Sequence, residues 1–313
     1  MQKDRAFPAD KVLLKSYDDQ VKYQNKTYVL PMNTAGFVMY FNKEMFSRAG
    51  VRTPADGWTW DDWFGAAEKL TTGTGDQKQF GATVYSNYKW NVVWMKQIQK
   101  EGWDRNVAPT KSLLDDREIV DAMRRQADMR TRFQYAPLPA DNASFAAGRV
   151  AMDVNGDWQM PTLKRAGRAD WDVAVLPKGK RAATAFFVQG NAAATTTKQP
   201  DALWEWLKYI TTEEAQRHVV ETSGRMPITP ELGQKLFVPV AKENFGVGHP
   251  EVFLKQWEYG SSYFNSALTA RLEREVLDPG FKMVMEGQAP VVDGLAETAR
   301  LATELLKSSR VLS

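Results

Sequence analysis

The chain contains no cysteine and only two histidines, His218 and His249, among its 313 residues. Without cysteine it can form no disulfide, no thiolate nucleophile and no Cys-based metal site. Two histidines are too few for a multi-histidine metal centre. The composition therefore predicts a protein without a cofactor or a resident metal ion.

Long apolar runs and dense basic blocks are also missing. No stretch approaches the length that a membrane span requires, and no charged-then-apolar leader of the signal-peptide type follows Met1. The 41 basic and 38 acidic residues give a net charge of +3 that is spread along the chain, which argues against a nucleic-acid partner. Phosphate-binding glycine loops and the Gly-x-Ser-x-Gly nucleophile motif are absent as well.

The residues that are present describe a globular protein rich in tryptophan. Hydrophobic residues make up 43% of the chain, which has eleven tryptophans, and its length predicts two lobes. Short apolar segments alternate with helical patterns, of which Lys43–Ala49 and Trp60–Leu70 are the best marked. This alternation predicts an α/β fold with a largely parallel sheet.

One stretch, Phe145–Trp158, combines a strand, a turn and a large aromatic side chain. Val150–Val154 is apolar and β-prone, and Asn155-Gly156 is a turn dipeptide that ends it. Asp157 is predicted to be the N-cap of the next helix. Trp158 then lies just past the C-terminal end of a strand, where α/β sheets bind ligands. For a lone tryptophan, burial in the core is the competing interpretation.

Other aromatic and polar residues are expected near that position. Trp90 and Trp94 share a face of a predicted helix, Tyr88–Glu101, and are interpreted as ligand-facing. Sugar sites need aromatic faces together with uncharged polar groups. The polar groups predicted here come from a loop at Asn33–Gly36, from the helix start and from a turn at Gly190-Asn191; they are Asn33, Thr34, Asn91 and Asn191.

Carboxylates give an alternative interpretation, because a pair of them could make the chain a glycoside-cleaving enzyme. Asp153 lies inside an apolar strand pattern, and Asp157 follows the turn. Asp61 and Asp62 are better explained by their place in the first turn of a helix. Solvated or capping carboxylates are far commoner than catalytic ones, so a non-enzymatic function is expected, with Asp153 or Asp157 kept as the alternative.

Three motifs in order along the chain resemble the solute-binding proteins of bacterial carbohydrate ABC transporters, the maltose-binding-protein-like family. The first is Pro31–Asn42 with Lys43–Gly50 and Trp60–Asp62, and the second is Phe145–Met152 with Asn155–Trp158. The third comprises Leu176-Pro177, Gly190-Asn191, Trp204–Gln216 and Gly224–Pro227. The chain departs from the pattern at Phe41, where tyrosine is usual, and at Gly57–Trp60, which replaces a tighter Pro-x-Thr-Trp.

The resemblance implies a two-lobed, periplasmic-binding-protein type II fold that closes on a sugar about a hinge. It implies an N-terminal lobe of residues 1–36 and 189–260 and a C-terminal lobe of residues 37–188 and 261–313. Chain crossings are expected near Asn33–Phe37, Phe187–Gly190 and Tyr259–Phe264. It also implies ABC transporter permease subunits as partners, contact with the membrane only through them, and a periplasmic or cell-surface location.

The resemblance further implies which residues bind the ligand. Trp158 matches the aromatic that stacks on the sugar. The other residues at cleft-facing positions are Asn33, Thr34, Trp90, Asn91, Trp94, Gly190, Asn191 and Arg225. A non-sugar solute on the same fold, such as a polyamine, a phosphate ester or a metal chelate, remains an alternative.

The family normally has further strand–helix units ahead of the strand that ends at Pro31. Only about thirty residues precede that strand in this chain. The expectation is therefore an incomplete N-terminal lobe with an exposed sheet edge, which a neighbouring molecule could cover.

Overall fold

The computed structural model describes residue 4 and residues 7–308 and has eight short strands in that part of the chain. The strands are β1 (Lys22–Tyr23), β2 (Lys26–Thr27), β3 (Leu30–Gly36), β4 (Val38–Asn42), β5 (Met152–Asn155), β6 (Trp171–Ala174), β7 (Thr184–Asn191) and β8 (Gly260–Ser262). They form the hairpin β1–β2 and two three-stranded sheets, ordered β3–β7–β8 and β5–β4–β6.

Helices make up most of the remaining structure. They are α1 (Ala9–Val12), α2 (Asp18–Val21), α3 (Lys43–Ala49), α4 (Trp60–Leu70), α5 (Tyr88–Gln97), α6 (Arg117–Thr131), α7 (Gln159–Arg165), α8 (Pro200–Tyr209), α9 (Glu213–Ser223), α10 (Pro230–Leu232), α11 (Val238–Phe245), α12 (Gln256–Tyr259), α13 (Thr269–Leu272), α14 (Asp278–Met285) and α15 (Val291–Ser308). Turns of π-helix, Gly233–Phe237 and Glu273–Leu277, join α10 to α11 and α13 to α14.

The predicted bounds of α3 and α4 are confirmed, because both helices carry strong end signals. Asn42 accepts a hydrogen bond from the backbone N–H of Met45, and Gly50 ends α3 at a positive φ of 62°. Thr59 and Asp62 form a reciprocal capping box at the start of α4. Local sequence therefore determines these two helices.

The sheet β5–β4–β6 is the centre of the larger part of the molecule. All residues of its three strands are buried. Met39 and Phe41 pack on one side with α4, α5, α6, α14 and α15, while Val38 and Tyr40 pack on the other with residues of α7, α9 and α11. This alternation is the two-residue period of a strand with helices on both faces.

The prediction of a largely parallel sheet is wrong. β4 pairs antiparallel with both β5 and β6, and β3 pairs antiparallel with β7, so among the described strands only β7 and β8 are parallel. Strands buried on both faces are typical of parallel sheets. Here helices cover both faces of an antiparallel sheet, so burial on both faces does not indicate the strand direction.

The segments predicted to cross between lobes lie side by side as the sheet β3–β7–β8. Ala35 pairs with Phe187, and Phe186 pairs with Ser262. The predicted loop at Asn33–Gly36 is therefore part of a strand, as is the predicted turn at Gly190-Asn191. Sequence reasoning missed this because the partner of β3 is about 150 positions away, beyond the reach of local turn signals.

Gly190 has a packing function in this sheet. It pairs with Pro31 next to a register shift in β3, and a Cβ added to Gly190 would overlap the carbonyl oxygen of Leu30. Two backbones can approach this closely only where one residue lacks a side chain.

The division into lobes at residues 189 and 260 stays a prediction. Val220, Leu236 and Phe253, which fall inside the predicted N-terminal lobe, share a core cluster with Val38 and Tyr40. The sheet β3–β7–β8 and the three crossings remain the region where a hinge is expected.

The buried hydroxyl of Tyr40 provides a test of this packing. It donates a 2.7 Å hydrogen bond to the carbonyl oxygen of Gly156 and so ties β4 to the turn after β5. Tyr40→Phe should lower the free energy of unfolding by about 1 kcal/mol, measured by urea denaturation. Tyr23→Phe is the control, because Tyr23 is 51% exposed. Equal stability of the two variants would contradict the proposed role of the bond.

Candidate functional site

Trp158 lies just after the C-terminal end of β5, as the sequence predicted. Asn155 ends the strand, Gly156 and Asp157 turn the chain, and α7 begins at Gln159. The N-cap position is occupied by Trp158 and not by Asp157, so that part of the prediction is wrong. Asp157 instead accepts hydrogen bonds from the N–H of Trp158 (3.0 Å) and from the N–H of Met226 (2.6 Å).

The indole of Trp158 belongs to a group of aromatic side chains that we call the ring cluster: Phe37, Tyr85, Trp90, Trp158 and Phe187. Its ring centroid lies 5.7 Å from that of Phe37 and 6.1 Å from that of Trp90, both edge to face. Tyr85 stacks on Trp90 at 4.9 Å, and Phe187 meets Phe37 at 5.6 Å. Phe37 is buried, whereas Trp90 and Trp158 keep exposed surface. The cluster is a rigid aromatic surface with two tryptophans at its accessible side.

Gly156 allows Trp158 to take this position. A Cβ on Gly156 would overlap the six-membered ring of the indole, so the ring packs directly over the glycine backbone. The carbonyl oxygen of Gly156 in turn receives the Tyr40 hydroxyl. The turn dipeptide thus fixes both the direction of the chain and the position of the ring.

Asp153 is hydrogen-bonded to Tyr85 of the ring cluster and to two polar side chains beside it. Its carboxylate accepts hydrogen bonds from the hydroxyls of Thr83 (2.6 Å) and Tyr85 (2.8 Å) and from the amide of Asn155 (3.1 Å). Burial raises the pKa of Asp153, and these hydrogen bonds oppose the rise. Asp153 therefore positions Tyr85, and its lone pairs are occupied by the protein's own donors.

Arg225 covers Trp158 and pairs with the buried Asp157. The guanidinium carbon lies 5.3 Å from the indole centroid, within the range of cation–π contact. Arg225 Nε lies 3.3 Å from Asp157 Oδ2. Arg225 Nη2 donates to Gln189 Oε1 (3.1 Å), which also accepts from the amide of Asn33 (2.9 Å). Residues from β3, β5–α7, β7 and the segment after α9 thus meet at one place.

Of the predicted site residues, the structure brings together Asn33, Trp90, Trp158 and Arg225. It does not bring Trp94 to them. Trp94 is buried, stacks on Trp63 at 4.7 Å and meets Trp60 edge to face at 5.8 Å. It is a core residue, and the prediction that it faces a ligand is corrected.

The remaining predicted residues divide into buried and exposed ones. Thr34 is buried and donates to the carbonyl of Pro227, and the buried amide of Asn91 donates to the carbonyls of Tyr85 and Asn87. These buried side chains hold the backbone segments around the site in place. Gly190 is exposed and Asn191 partly so, and the Asn191 amide nitrogen has no partner among the described residues.

Three residues of the site were missed by sequence reasoning. Phe37 was named only at the end of a predicted crossing, and Gln189 directly precedes the predicted turn at Gly190-Asn191. Lys89 places its ammonium 4.4 Å from the centroid of the Phe187 ring, and burial lowers its pKa. A signal was available for Lys89, because a cation in the first turn of a helix is opposed by the helix dipole.

The described part of the chain offers neither a metal site nor a membrane-spanning helix. Between residues 7 and 308, no group of three or more His, Asp or Glu side chains could hold a metal ion. None of the described helices has the length and hydropathy of a membrane span. A cavity of about 680 Å³ adjoins the start of α5 and is lined by Ser86, Asn87, Glu273 and neighbouring residues of α14.

The buried Asp157 predicts a pH dependence of stability. Burial raises its pKa from 3.8 to about 6, although Arg225 and the two backbone N–H groups act in the opposite direction. The folded state therefore holds this proton more tightly than the unfolded chain does. The resulting stabilisation is full below about pH 4 and is lost as the pH rises through about 6.

Asp157→Asn removes this titration. The difference in unfolding free energy, wild type minus variant, should fall by about 2 kcal/mol between pH 4 and pH 7, since one pKa unit corresponds to about 1.4 kcal/mol and the unfolded chain is already partly ionised at pH 4. Urea denaturation of both proteins at several pH values measures it. A difference that does not change with pH would contradict the raised pKa.

Solved structures with the same fold include several sugar-binding proteins. An ABC substrate-binding protein from Listeria monocytogenes in complex with cycloalternan superposes with a TM-score of 0.86 at 21% identity, covering 98% of this chain and 78% of that one. A cyclic alpha-maltosyl-1,6-maltose binding protein from Arthrobacter globiformis gives 0.77 at 16% identity, covering 97% and 77%. The fold is therefore the two-lobed one of these binding proteins.

Curated relatives are similarly distant in sequence. An uncharacterized ABC transporter extracellular-binding protein of Pyrococcus horikoshii is 23% identical over 242 residues, which are 73% of this chain and 53% of the relative. A relative from Brucella abortus (strain 2308) is 22% identical over 224 residues, 66% of this chain and 52% of the relative. The chain thus spans about half the length of these curated relatives.

A family model matches most of the chain. The model of the bacterial extracellular solute-binding proteins matches residues 4–244, which include the ring cluster, Asp157 and Arg225. On this match, the chain belongs to the family of bacterial extracellular solute-binding proteins.

Proposed function

We propose that this chain is the substrate-binding component of a carbohydrate ABC transporter. It binds a mono- or oligosaccharide at the ring cluster and delivers it to the permease subunits of the transporter, outside the cytoplasmic membrane in the periplasm or at the cell surface. The observation that carries the proposal is the partly exposed Trp158 ring just after β5, with Trp90 beside it and polar groups at its rim.

The chemistry of a sugar suits this surface. The C–H groups of a pyranose ring pack against the flat face of an aromatic ring, while its hydroxyls need donors and acceptors at the edge. Arg225 and Gln189 supply such groups, and Asn191 lies two residues beyond Gln189 with an unpartnered amide nitrogen. Structural relatives that bind cycloalternan and maltotetraose support the sugar class.

The proposed closure uses the sheet β3–β7–β8 as the hinge. Its strands contain the expected crossings near Asn33–Phe37 and Phe187–Gly190 and adjoin the third near Tyr259–Phe264. A ligand closes two lobes only if it makes more contacts in the closed state than in the open one. In the proposed closed state, Trp158 of the predicted C-terminal lobe and Arg225 of the predicted N-terminal lobe both contact the ligand.

The enzyme alternative receives no support from the carboxylates. Solute-binding proteins of this family are not enzymes, and Asp153 and Asp157 are both buried and occupied by hydrogen bonds from the protein. A glycoside-cleaving pair needs one carboxyl group that can protonate the substrate and another that can reach it.

Trp158→Ala tests the proposed binding surface. The variant should lose at least about 30-fold in affinity for the sugar, since a buried aromatic contact of this kind is worth about 2 kcal/mol. Isothermal titration calorimetry against a panel of mono- and oligosaccharides measures this, beginning with maltodextrins. Trp206→Ala is the control, because Trp206 is 47% exposed on α8. Product formation from any sugar, or equal loss in both variants, would contradict the proposal.

Gly156→Ala tests the placement of the ring without removing it. The new methyl group must displace the indole, so the affinity should fall by about tenfold or more while the tryptophan count is unchanged. The matched control is Gly65→Ala, where an added Cβ meets nothing within 4 Å. Unchanged affinity of Gly156→Ala would mean that the ring position does not matter for binding.

A further inference from the structure

We propose that the saccharide bound at the ring cluster carries an anionic group, a carboxylate or a phosphate, which Lys89 and Arg225 hold from the two ends of the aromatic surface. This inference rests on the proposed function and narrows its substrate class. It is based on the positions of these two cations and on the lack of an ion-pair partner for Lys89 among the described residues.

Lys89 has no role in the fold that would explain its position. It lies in the first turn of α5, which contains no acidic residue, and the helix dipole disfavours a cation there. Its ammonium is half-buried over the Phe187 ring. Among the described residues, no carboxylate lies within ion-pair distance of Lys89 Nζ. A desolvated, unpaired cation costs stability, so we infer that its partner is a ligand.

Arg225 provides the second positive group. Its Nε faces the buried Asp157, and Nη2 donates to Gln189 at the protein surface. The guanidinium carbon lies 5.3 Å from the centroid of the Trp158 ring. Arginine has five N–H donors in a planar fork that suits a carboxylate or a phosphate, and those not used by Asp157 and Gln189 are available to a ligand.

The ring cluster connects the two cations. Lys89 contacts Phe187, Phe187 meets Phe37, Phe37 meets Trp158, and Arg225 covers Trp158. The positive charge of Arg225 also contributes to the lowered pKa of Lys89, which places the two groups in one electrostatic environment. A sugar stacked on the tryptophans would therefore have a cation near each end.

The nearby carboxylates are occupied by other donors. Asp153 accepts three hydrogen bonds, and Asp157 accepts two from the backbone. Glu273 accepts from the hydroxyl of Tyr263, and Asp278 accepts from the N–H of Tyr88. The charges of Glu273 and Asp278 raise the pKa of Lys89, but neither carboxylate forms an ion pair with it. Lys89 Nζ therefore has no ion-pair partner among these four carboxylates and is available to an anionic group of the ligand.

Matched ligand pairs test the inference by calorimetry. Digalacturonic acid is compared with its neutral methyl ester, and galactose 1-phosphate with galactose. The acid or the phosphate should bind at least about tenfold more tightly than its neutral counterpart, because a charge-assisted hydrogen bond contributes more than a neutral one. The preference should shrink between 20 and 500 mM NaCl. Which pair shows it identifies the anionic group.

Variants at Lys89 assign the preference to this residue. Lys89→Met should remove most of the acid-over-ester preference, measured as the ratio of the two affinities in the same variant, and Lys89→Arg should retain it. Lys164→Met is the matched control, because Lys164 also lies over an aromatic ring, that of Phe245 at 5.3 Å, but on α7 away from the site. Its preference should equal that of the wild type.

The outcomes separate this inference from the proposed function. Neutral sugars that bind as tightly as their charged counterparts, or a preference that survives in Lys89→Met, overturn the inference and leave sugar binding intact. Failure of every neutral and anionic saccharide in a thermal-shift panel to stabilise the protein overturns both.

Discussion

The site depends on one buried carboxylate, that of Asp157. Removing it from water is costly, and two backbone N–H groups and a guanidinium that converge on it offset part of this cost. One N–H belongs to Trp158 and the other to Met226, which lies 69 positions beyond Asp157 in the chain. The carboxylate thereby fixes the turn after β5 against the segment that carries Arg225. Together with the hydrogen bond from Arg225 to Gln189, it holds the guanidinium over the indole.

The second constraint is the pairing of strands that are distant in sequence. Asn33 on β3 and Gln189 on β7 are register partners, which is why their side chains meet. The same sheet adjoins β4 through Phe37, whose N–H donates to the hydroxyl of Thr184. The aromatic side of the site is therefore attached to the sheet that contains the predicted hinge. A bend of the strands in the sheet β3–β7–β8 would therefore alter the distance between Trp158 and Gln189.

The sequence predicted the site where its signals were local. Trp158 was found because an Asn-Gly turn follows a buried strand, and helices α3 and α4 because their caps are strong. Trp94 was wrongly assigned although it shares a helix face with Trp90. The two residues are four positions apart, about 6 Å along the axis, so Trp90 reaches the ring cluster while Trp94 lies deeper, against Trp63. Strand direction and the pairing of β3 with β7 depend on contacts that no local pattern encodes.

The polar residues show why a binding site is harder to predict than a fold. Asn33, Thr34 and Asn91 were expected to face a ligand because a sugar site needs uncharged polar groups and the family resemblance implies cleft-facing positions for them. In the structure they are buried, and two of them satisfy backbone carbonyls at irregular joins, those of Pro227, Tyr85 and Asn87. Such joins leave carbonyls without a helical or sheet partner, and each would otherwise cost about 1–3 kcal/mol. These side chains hold the loops rigid, so that the exposed groups, Trp90, Trp158, Lys89 and Arg225, are already in place before a ligand arrives.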